Sequence, residues 1–232
     1  MVCRSCNPQP LPDQSGPLLE IDLAGRTWQL ERAGDLAQLW DQLGEEDFGD
    51  DERIPYWTEI WPSSLGLGEW LAEQQVRIEG KLCLDLGCGL GLTALVGASL
   101  GGRVVGIDYE ADALGFARIN GPKNGMDGIA WLLADWREPC FRRGCAPVIW
   151  GADVMYEKRF IEPVSDFLSQ VLAPGGVAWL AEPGRRLYED FVDHVLSTGW
   201  DCRQVAARSF DPPYASKVRV PVNVWELRRK DG

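Results

Sequence analysis

The sequence predicts a doubly wound α/β domain built on a mostly parallel, seven-stranded sheet. From Lys81 onward, short apolar runs alternate with segments of helical apolar spacing. Nearly continuous apolar strands separated by amphipathic helices indicate a parallel sheet that helices cover on both faces. The chain has 232 residues, of which 45% are hydrophobic, so it is long enough for one such core and short for two independent ones.

The individual elements follow from these runs. Five apolar segments predict the parallel strands, namely "KLCLDL", "RVVGID", "IAWLLA", "PVIWGA" and "GVAWLA". Four amphipathic segments predict the helices, namely "TALVGASL", "EADALGFARIN", "FIEPVSDFLSQVL" and "LYEDFVDHVL". The last two runs, "DCRQVAARSF" and "KVRVPVNVWEL", are joined by a Pro-containing loop that has no room for a crossover helix, so they should pair antiparallel.

The segment before this domain divides into three parts. Residues 1–17 are rich in Pro, Gln and Ser and predict a flexible arm. Residues 18–53 form an extension: alternating runs around Ala24 and Gly25 predict a hairpin, and "DLAQLWDQL" predicts a helix with Asp35 as its N-cap. The main domain then covers residues 54–232.

The acidic segment "GEEDFGDDER" carries six acidic residues and one basic residue in ten positions. Such a run is typical of a solvated loop, and it is also suited to contact with a cationic substrate. Both interpretations stay open at this point.

Composition and charge narrow the possible partners and compartments. The net charge of −12 repels phosphate backbones and disfavours nucleic acid as a partner. No apolar run approaches the roughly 20 residues needed to span a bilayer, and the first residues lack a secretory apolar core, so we expect a cytoplasmic protein without a membrane partner. The oligomeric state is left open.

Cysteine and histidine give no strong metal signal. The seven cysteines are an odd number and are scattered through strands and loops, which is typical of reduced thiols. Cys3 and Cys6 have metal-ligand spacing, but a structural zinc site usually needs four ligands and the only histidine is His194, far along the chain. We therefore expect no metal, and we expect His194 to be an ordinary helix residue.

A glycine-rich loop follows the first core strand. It reads Asp85-Leu-Gly87-Cys88-Gly89-Leu-Gly91 and opens onto a predicted helix. Glycines let a backbone turn sharply and approach a ligand, because any Cβ would collide with it. The spacing differs from the Gly-x-Gly-x-x-Gly pattern of dinucleotide sites. It resembles the first motif of S-adenosylmethionine (SAM) methyltransferases.

Two more strand ends carry polar residues suited to a nucleoside. The second strand ends in Asp108-Tyr109, where a carboxylate can accept both ribose hydroxyls, although this feature alone does not separate SAM from NAD. The third strand is followed by Asp135-Trp136, an acceptor and an apolar plane for an adenine ring. The alternative is that these acids cap turns and that the glycines only make tight connections.

Two tetrapeptides compete for the chemical site. Asp211-Pro-Pro-Tyr214 is typical of enzymes that methylate amide or adenine nitrogens, but it follows the sixth strand. Ligands of open α/β sheets lie near the switch between the first and fourth strands. The fourth strand delivers Asp153-Val-Met-Tyr156 there, so we place the chemistry on it. The Asp211 loop either lines a substrate pocket or is a plain turn, and the alternative for Asp153 is a helix N-cap followed by a packed aromatic residue.

Four segments together resemble the seven-β-strand protein lysine methyltransferases with an Asp-x-x-Tyr/Phe motif. They are "IPYWTEIWPSSLGLGEWL", "LDLGCGLGL", "GADVMYEKRF" and "AEPGRR". The nearest resemblance is to the branch that modifies the β subunit of electron-transfer flavoprotein, over about residues 54–225. It implies a Rossmann-like SAM methyltransferase fold and a protein substrate with an accessible lysine. Related enzymes use other side-chain nitrogens, so methyl transfer is better supported than lysine.

The resemblance also implies roles for individual residues. Trp57 and Trp61 would help to close the SAM site, Asp153 would meet the substrate nitrogen, and Tyr156 would shape its channel. The alternative for the tryptophans is packing into the core. Glu182 departs from the aspartate expected before Pro-Gly-Arg. Two other functions remain as alternatives: a small-molecule N-methyltransferase, or a non-catalytic interaction module of the same fold.

Overall fold

The computed structural model describes residues 18–34, 36, 39, 55–213 and 218–230. Its nine strands are β1 (Leu19–Leu23), β2 (Arg26–Leu30), β3 (Leu82–Leu86), β4 (Arg103–Asp108), β5 (Ala130–Leu133), β6 (Ala146–Ala152), β7 (Leu172–Glu182), β8 (Trp200–Phe210) and β9 (Val220–Arg229). Its α-helices are α1 (Pro62–Glu73), α2 (Gln75–Ile78), α3 (Leu92–Ser99), α4 (Ala111–Lys123), α5 (Ile161–Val171) and α6 (Leu187–Ser197). Short 3-10 helices lie at Tyr56–Thr58 and Lys158–Phe160.

Seven of the strands form one sheet in the order β5-β4-β3-β6-β7-β9-β8. Strands β3 to β7 pair in parallel, and β9 pairs antiparallel with both β7 and β8. The predicted doubly wound, mostly parallel sheet with an antiparallel final pair is confirmed. Because β3 lies between β4 and β6, the winding direction reverses at β3, and the crevice at the carboxyl ends of these three strands is where a ligand is expected.

The sheet is buried on both faces, as the near-continuous apolar strands predict. Side chains alternate along each strand, so neighbouring residues enter different layers of the core. Cys83 belongs to one buried cluster and Leu84 to the other; in β6, Trp150 belongs to the first cluster and Ile149 to the second. All four side chains are fully buried. A sheet packed in this way holds its strand ends rigidly, which positions whatever residues follow them.

Helix α1 was not among the predicted helices. It begins with Pro62 in its first turn, where a missing N–H costs nothing, and it runs against the hairpin and the last strands. A Cβ on Gly66 would lie 2.4 Å from Val222 Cγ1, and one on Gly68 would lie 2.5 Å from Leu23 Cδ2. Because the helix is closely packed on both of these sides, it lacks a clear polar face. The alternation of apolar and polar residues that marks a surface helix is therefore weak in this segment.

Strands β1 and β2 form the predicted antiparallel hairpin. Two asparagines of the α4 segment attach it to the main domain. Asn124 Oδ1 accepts from the Gln29 N–H and Nδ2 donates to the Gln29 carbonyl; Asn120 makes the same two bonds with Glu31. The amide side chains thereby pair with the free edge of the hairpin as a neighbouring strand would.

Several sequence predictions concern residues outside the described ranges. These are the arm at residues 1–17 with Cys3 and Cys6, the Asp35 N-cap, the acidic segment at 44–53, and Tyr214. Within the described residues, the five cysteines are unpaired, no group of three potential metal ligands occurs, and no helix is long and apolar enough to cross a membrane. His194 is a half-buried residue of α6.

Candidate active site

A cavity opens at the carboxyl ends of β3, β4 and β6, on the side where the 3-10 helix at Tyr56–Thr58 covers the sheet. Ten of the thirteen residues predicted for the site line it. They are Trp57, Trp61, Gly87, Cys88, Gly89, Asp108, Tyr109, Trp136, Asp153 and Tyr156. The other three, Asp85, Gly91 and Asp135, lie outside this lining as the described residues define it. Residues from five separate segments of the chain therefore converge on one site.

The glycine-rich loop forms the floor of the cavity. Gly87 and Gly89 have φ angles of 64° and 51°, in the left-handed region that favours glycine. A Cβ on Gly87 would lie 2.9 Å from Val154 Cγ1, so a side chain would also crowd the cavity wall. Gly91 serves a different purpose: it precedes α3 with a φ of 92°, and a Cβ there would lie 2.7 Å from the Trp131 ring. Gly91 thus shapes the helix start beneath the cavity.

Cys88 lines the cavity but is only 7% exposed. Burial raises the pKa of its thiol well above the ordinary value, and the neighbouring carboxylates of Asp108 and Asp85 raise it further. A thiol with a raised pKa stays protonated and is a poor nucleophile. Cys88 therefore contributes shape to the site and no covalent chemistry.

Asp108 ties the end of β4 to the glycine-rich loop. Its Oδ2 accepts a hydrogen bond from the Gly89 N–H at 2.8 Å, and its Oδ1 accepts from the Glu110 N–H at 3.0 Å. Burial raises the pKa of this carboxyl group, while the backbone N–H groups act in the opposite direction. Each oxygen has further acceptor capacity, so the side chain can hold the loop and still bind a ligand hydroxyl.

Asp85 lies beneath the loop and is fully buried. Its Oδ2 accepts from the Thr93 hydroxyl at 2.7 Å, and its Oδ1 has no hydrogen-bond partner among the described residues. Burial raises the pKa of this carboxyl group to about 7, although the Thr93 hydrogen bond acts to lower it. The group is therefore close to its titration point at neutral pH.

Asp135 and Trp136 follow β5 but have different surroundings. Trp136 is buried in the cavity wall, 4% exposed, with its ring edge-to-face with Tyr109. Asp135 is partly exposed and bound to Arg137: Oδ2 accepts from Nε at 2.7 Å and from Nη2 at 2.6 Å, and Oδ1 accepts from the Arg137 N–H. The predicted acceptor for an adenine amino group is thus engaged in a local ion pair beside the cavity.

Asp153 follows β6 directly and has an unusual backbone. Its φ of 54° is in the left-handed region, which costs a non-glycine residue on the order of 1 to 2 kcal/mol. Its N–H donates to the Ala181 carbonyl of β7 at 2.8 Å, which holds this conformation. The first helical residue after it is Lys158, so Asp153 does not cap a helix. The strained backbone instead presents its side chain to the cavity.

Asp153 is 9% exposed, and its two carboxylate oxygens have different contacts. Oδ1 accepts from both Nε and Nη2 of Arg185, each at 3.0 Å. Oδ2 is buried and has no hydrogen-bond partner among the described residues. Burial raises the pKa of this carboxyl group above its ordinary value, Arg185 lowers it, and the nearby Glu182 raises it.

Aromatic residues line the same cavity as Asp153. Tyr156 contacts Tyr56 and Phe160 edge-to-face, with ring centroids 5.5 and 5.0 Å apart, and Tyr56 contacts Trp61 at 5.8 Å. Burial and a hydrogen bond with Tyr109 raise the pKa of the Tyr156 phenol far above neutrality, so it stays neutral. Such a wall offers apolar, aromatic surface to a bound group.

Trp57 lines another part of the cavity. Its ring stacks on Phe116 of α4 with centroids 5.9 Å apart and 23° between the planes. Glu59, two residues on, also lines the cavity, but its Oε1 is engaged by the Arg32 guanidinium and the Leu36 N–H, each at 2.9 Å. Glu59 therefore anchors the N-terminal extension to the cavity wall.

Arg185 and Tyr56 were absent from the predicted site. Both lie in segments that the sequence analysis quoted, Tyr56 in "IPYWTEIWPSS" and Arg185 in "AEPGRR". The departure at Glu182 now has a structural explanation: its buried carboxylate accepts from Asn223, Trp225 and the Arg185 N–H and so shapes the turn that carries Arg185.

The described residues of the competing tetrapeptide are Asp211 and the two prolines after it. Asp211 follows β8 with its side chain 78% exposed, and it forms an ion pair with Arg219 at 3.6 Å. Neither Asp211 nor the two prolines after it belongs to the cavity lining.

The cavity suits an adenosine joined to an amino acid. Gly87 and Gly89 line the cavity without side chains, so a ligand can approach the backbone of the loop. Asp108 offers carboxylate oxygens for ribose hydroxyls, and Trp136 offers a buried ring and an indole N–H without a hydrogen-bond partner among the described residues. These features fit SAM.

Comparisons with known proteins agree with this geometry. Residues 83–176 match the family model of the methyltransferase domain. The ribosomal protein L11 methyltransferase of Sorangium cellulosum is 34% identical over 128 residues, 55% of this chain and 38% of that protein. The chain therefore spans well under half of that relative's length. The ubiquinone biosynthesis O-methyltransferase of Burkholderia ambifaria is 25% identical over 195 residues, 82% of this chain and 76% of its own.

Solved structures show the same fold. The crystal structure of Pyrococcus horikoshii TYW2 in complex with MeSAdo superposes with a TM-score of 0.57 at 17% identity, covering 90% of this chain and 71% of TYW2. At that identity the likeness establishes the Rossmann-like methyltransferase fold alone.

Proposed function

We propose that this protein, whose residues 83–176 match the family model of the methyltransferase domain, transfers the methyl group of SAM to a side-chain nitrogen, specifically a lysine amine of a protein substrate. The observation that carries the proposal is the Asp153 carboxylate, which is buried, shares its cavity with Tyr56, Trp61 and Tyr156, and keeps one oxygen without a hydrogen-bond partner among the described residues. A buried acceptor inside an apolar wall suits a donor that becomes cationic during the reaction.

The chain's own residues would prepare the amine. When bound, SAM supplies an activated methyl group, and transfer breaks its S–C bond as the nitrogen lone pair forms the new C–N bond. A lysine has a reference pKa of about 10.4, so it must first lose a proton to the solvent. Removal from water by Tyr56, Trp61 and Tyr156 would favour the neutral amine by lowering that pKa.

Asp153 would then hold and orient the amine. Its Oδ2 can accept one N–H while the lone pair points at the methyl group, and the negative charge stabilises the ammonium that forms with the new bond. Tyr156 cannot serve as a base through its phenolate, because its pKa is raised far above neutrality. The side chain that serves the reacting nitrogen is therefore the carboxylate.

One further observation favours a protein amine over a nucleic acid. The chain carries a net charge of −12, which repels phosphate backbones and attracts basic segments. The relatives include both a ribosomal protein L11 methyltransferase at 34% identity and an uncharacterized RNA methyltransferase at 36% identity over 72 residues, so the choice of a protein substrate rests on the charge. The proposed substrate is a protein with an accessible lysine.

Incubation with methyl-labelled SAM and a matched cell extract tests the proposal. We expect the label in protein, resistant to alkali, and recovered as methyllysine after acid hydrolysis, because N-methyl bonds survive treatments that cleave methyl esters. An excess of S-adenosylhomocysteine is the control. Label confined to RNA, to small molecules or to O-methyl groups would contradict the proposal.

Asp108→Ala should weaken SAM binding. Loss of the carboxylate leaves ribose hydroxyls unpaired in a closed site, which costs on the order of 1 to 3 kcal/mol, or about 5- to 150-fold in the dissociation constant. Isothermal titration calorimetry measures the effect, with Asp112→Ala, an exposed acid in the first turn of α4, as the matched control. Because Asp108 also binds the Gly89 N–H, thermal unfolding without ligand identifies any general loss of structure. An unchanged affinity would refute the assignment of Asp108 to the cofactor.

A further inference from the structure

Arg185 is the charged group that contacts the Asp153 carboxylate. It lies in the turn between β7 and α6, and its side chain is 37% exposed, so it reaches from the surface to a group that is almost fully buried. Nε and Nη2 both donate to Oδ1, each at 3.0 Å. An arginine fork usually engages both oxygens of a carboxylate, but here it engages one and leaves Oδ2 available.

Hydrogen bonds to the buried side chain of Glu182 hold the turn that carries Arg185. The Arg185 N–H donates to Glu182 Oε2 at 2.7 Å, and Glu182 Oε1 accepts from Asn223 Nδ2 at 2.7 Å and from Trp225 Nε1 at 3.3 Å. Glu182 is only 2% exposed, so this anchor is rigid and shielded from water. Since β6 and β7 are neighbouring strands, the anchor holds Arg185 beside the residue that follows β6.

We propose that Arg185 is a positioning residue, which occupies Oδ1 of Asp153 and thereby keeps the carboxylate ionised and turned so that Oδ2 receives the substrate amine. This inference rests on the proposed amine methylation and assigns to Arg185 a part in that reaction that nothing in the sequence pattern assigned. Arg185 acts through Asp153 and does not itself touch the reacting atoms.

The charges around Asp153 make such a partner necessary. Burial and Glu182 both favour the protonated acid, and Arg185 is the group that opposes them. The other titratable side chains that line the cavity are Tyr56, Glu59, Cys88, Asp108, Tyr109, Glu110 and Tyr156. All of these are acidic or neutral, so within the described part of the chain no cavity-lining side chain supplies the positive charge that would keep the carboxylate ionised if Arg185 were removed.

The first test follows the carboxyl group itself, without turnover. Carbon-13 NMR of protein labelled at aspartate carboxyls gives a titration curve for Asp153, assigned by the signal that Asp153→Asn removes. In Arg185→Ala we expect the Asp153 pKa to rise, and in Arg185→Lys to rise less, since the charge is kept and the two-nitrogen fork is lost. Arg186→Ala, the exposed neighbour, should leave the curve unchanged. An unaltered Asp153 titration in Arg185→Ala would overturn the inference.

The second test follows the reaction with methyl-labelled SAM and a lysine-containing protein substrate. Arg185→Ala should lower kcat about 10- to 100-fold, with SAM affinity unchanged and partial rescue in Arg185→Lys. Besides the rise of the rate caused by deprotonation of the substrate amine, the pH profile should show an acid limb that reports the protonation of Asp153; in Arg185→Ala this limb should move to higher pH, which a merely structural role would not cause. If Arg185→Ala equals the wild type in kcat and in its pH profile, the inference fails.

The double variant separates this inference from the proposed function. If both residues act as one unit, Arg185→Ala should lower the kcat of the Asp153→Asn variant by a far smaller factor than it lowers the kcat of the wild type. If Asp153→Asn alone transfers methyl groups at the wild-type rate, the proposed role of Asp153 is wrong. If Asp153→Asn is slow and the two effects simply multiply, Asp153 keeps its role and the inference about Arg185 is wrong.

Discussion

Asp153→Asn should slow methyl transfer about 100- to 1,000-fold, the range found when one group that stabilises developing charge is removed from an active site. The amide keeps the shape of the side chain but cannot satisfy both of its neighbours. Its oxygen will face the Arg185 guanidinium, which donates at 3.0 Å, so its NH2 group takes the place of Oδ2. The substrate amine then faces the NH2 group of the asparagine, a donor, where it needs an acceptor oxygen. The negative charge that stabilises the new ammonium is also lost.

Single-turnover rates separate this effect from cofactor binding and product release. SAM affinity should be unchanged, because the replacement is isosteric. Asp211→Asn is the matched control: its side chain is exposed and lies outside the cavity lining, so the rate should stay within about twofold. A larger loss from Asp211→Asn than from Asp153→Asn would place the chemistry on the Asp-Pro-Pro-Tyr tetrapeptide.

The pH profile of the same single-turnover rate reports on the acceptor. For a lysine substrate, the rate should climb with pH until the bound amine is deprotonated, whereas an amide or adenine nitrogen has no such proton to lose in that range. Because the proton is lost from the substrate amine, the rise of the rate with pH should persist in Asp153→Asn, at a lower overall rate. A flat profile in the wild type would point to a different nitrogen.

The sheet and the strand-end acids could be predicted because both depend on short-range patterns. A strand buried on both faces has to be apolar along its length, and the residues after neighbouring parallel strands have to meet at one edge. Asp108 ends β4 and Asp153 follows β6, and these two strands flank β3, so the convergence of both side chains on one cavity is a consequence of the topology.

The missed features depend on contacts between distant segments. Arg185 reaches Asp153 only because β7 pairs with β6, and nothing near residue 185 in the sequence shows which carboxylate it will contact. Helix α1 is close-packed at Gly66 and Gly68 and therefore lacks a clear polar face. Asp135 shows the opposite case: its position after β5 was visible, but its pairing with Arg137, two residues on, depends on the conformation of the turn.

The stability of the ligand-free protein should fall as pH rises through neutrality, and Asp85 should be a main cause. Its folded-state pKa of about 7 lies above the unfolded value of 3.8, because burial disfavours the carboxylate. The folded state therefore binds this proton more tightly, and the resulting stabilisation, complete below the unfolded pKa, is lost as pH rises toward and through the folded pKa.

Asp85→Asn removes this dependence and keeps an oxygen that can accept from the Thr93 hydroxyl. Between pH 5 and pH 8, the free energy of unfolding of the wild type should fall by about 2 to 3 kcal/mol relative to that of the variant, as the linkage relation gives for these two pKa values. Urea unfolding without cofactor measures it, and Asp112→Asn, exposed on α4, should follow the wild type. Parallel curves for wild type and Asp85→Asn would mean that the buried carboxylate is ionised throughout this range. The loop above Asp85 would then rest on a buried charge, which the groups of Thr93, Trp150 and Ala94 that lower its pKa would have to stabilise.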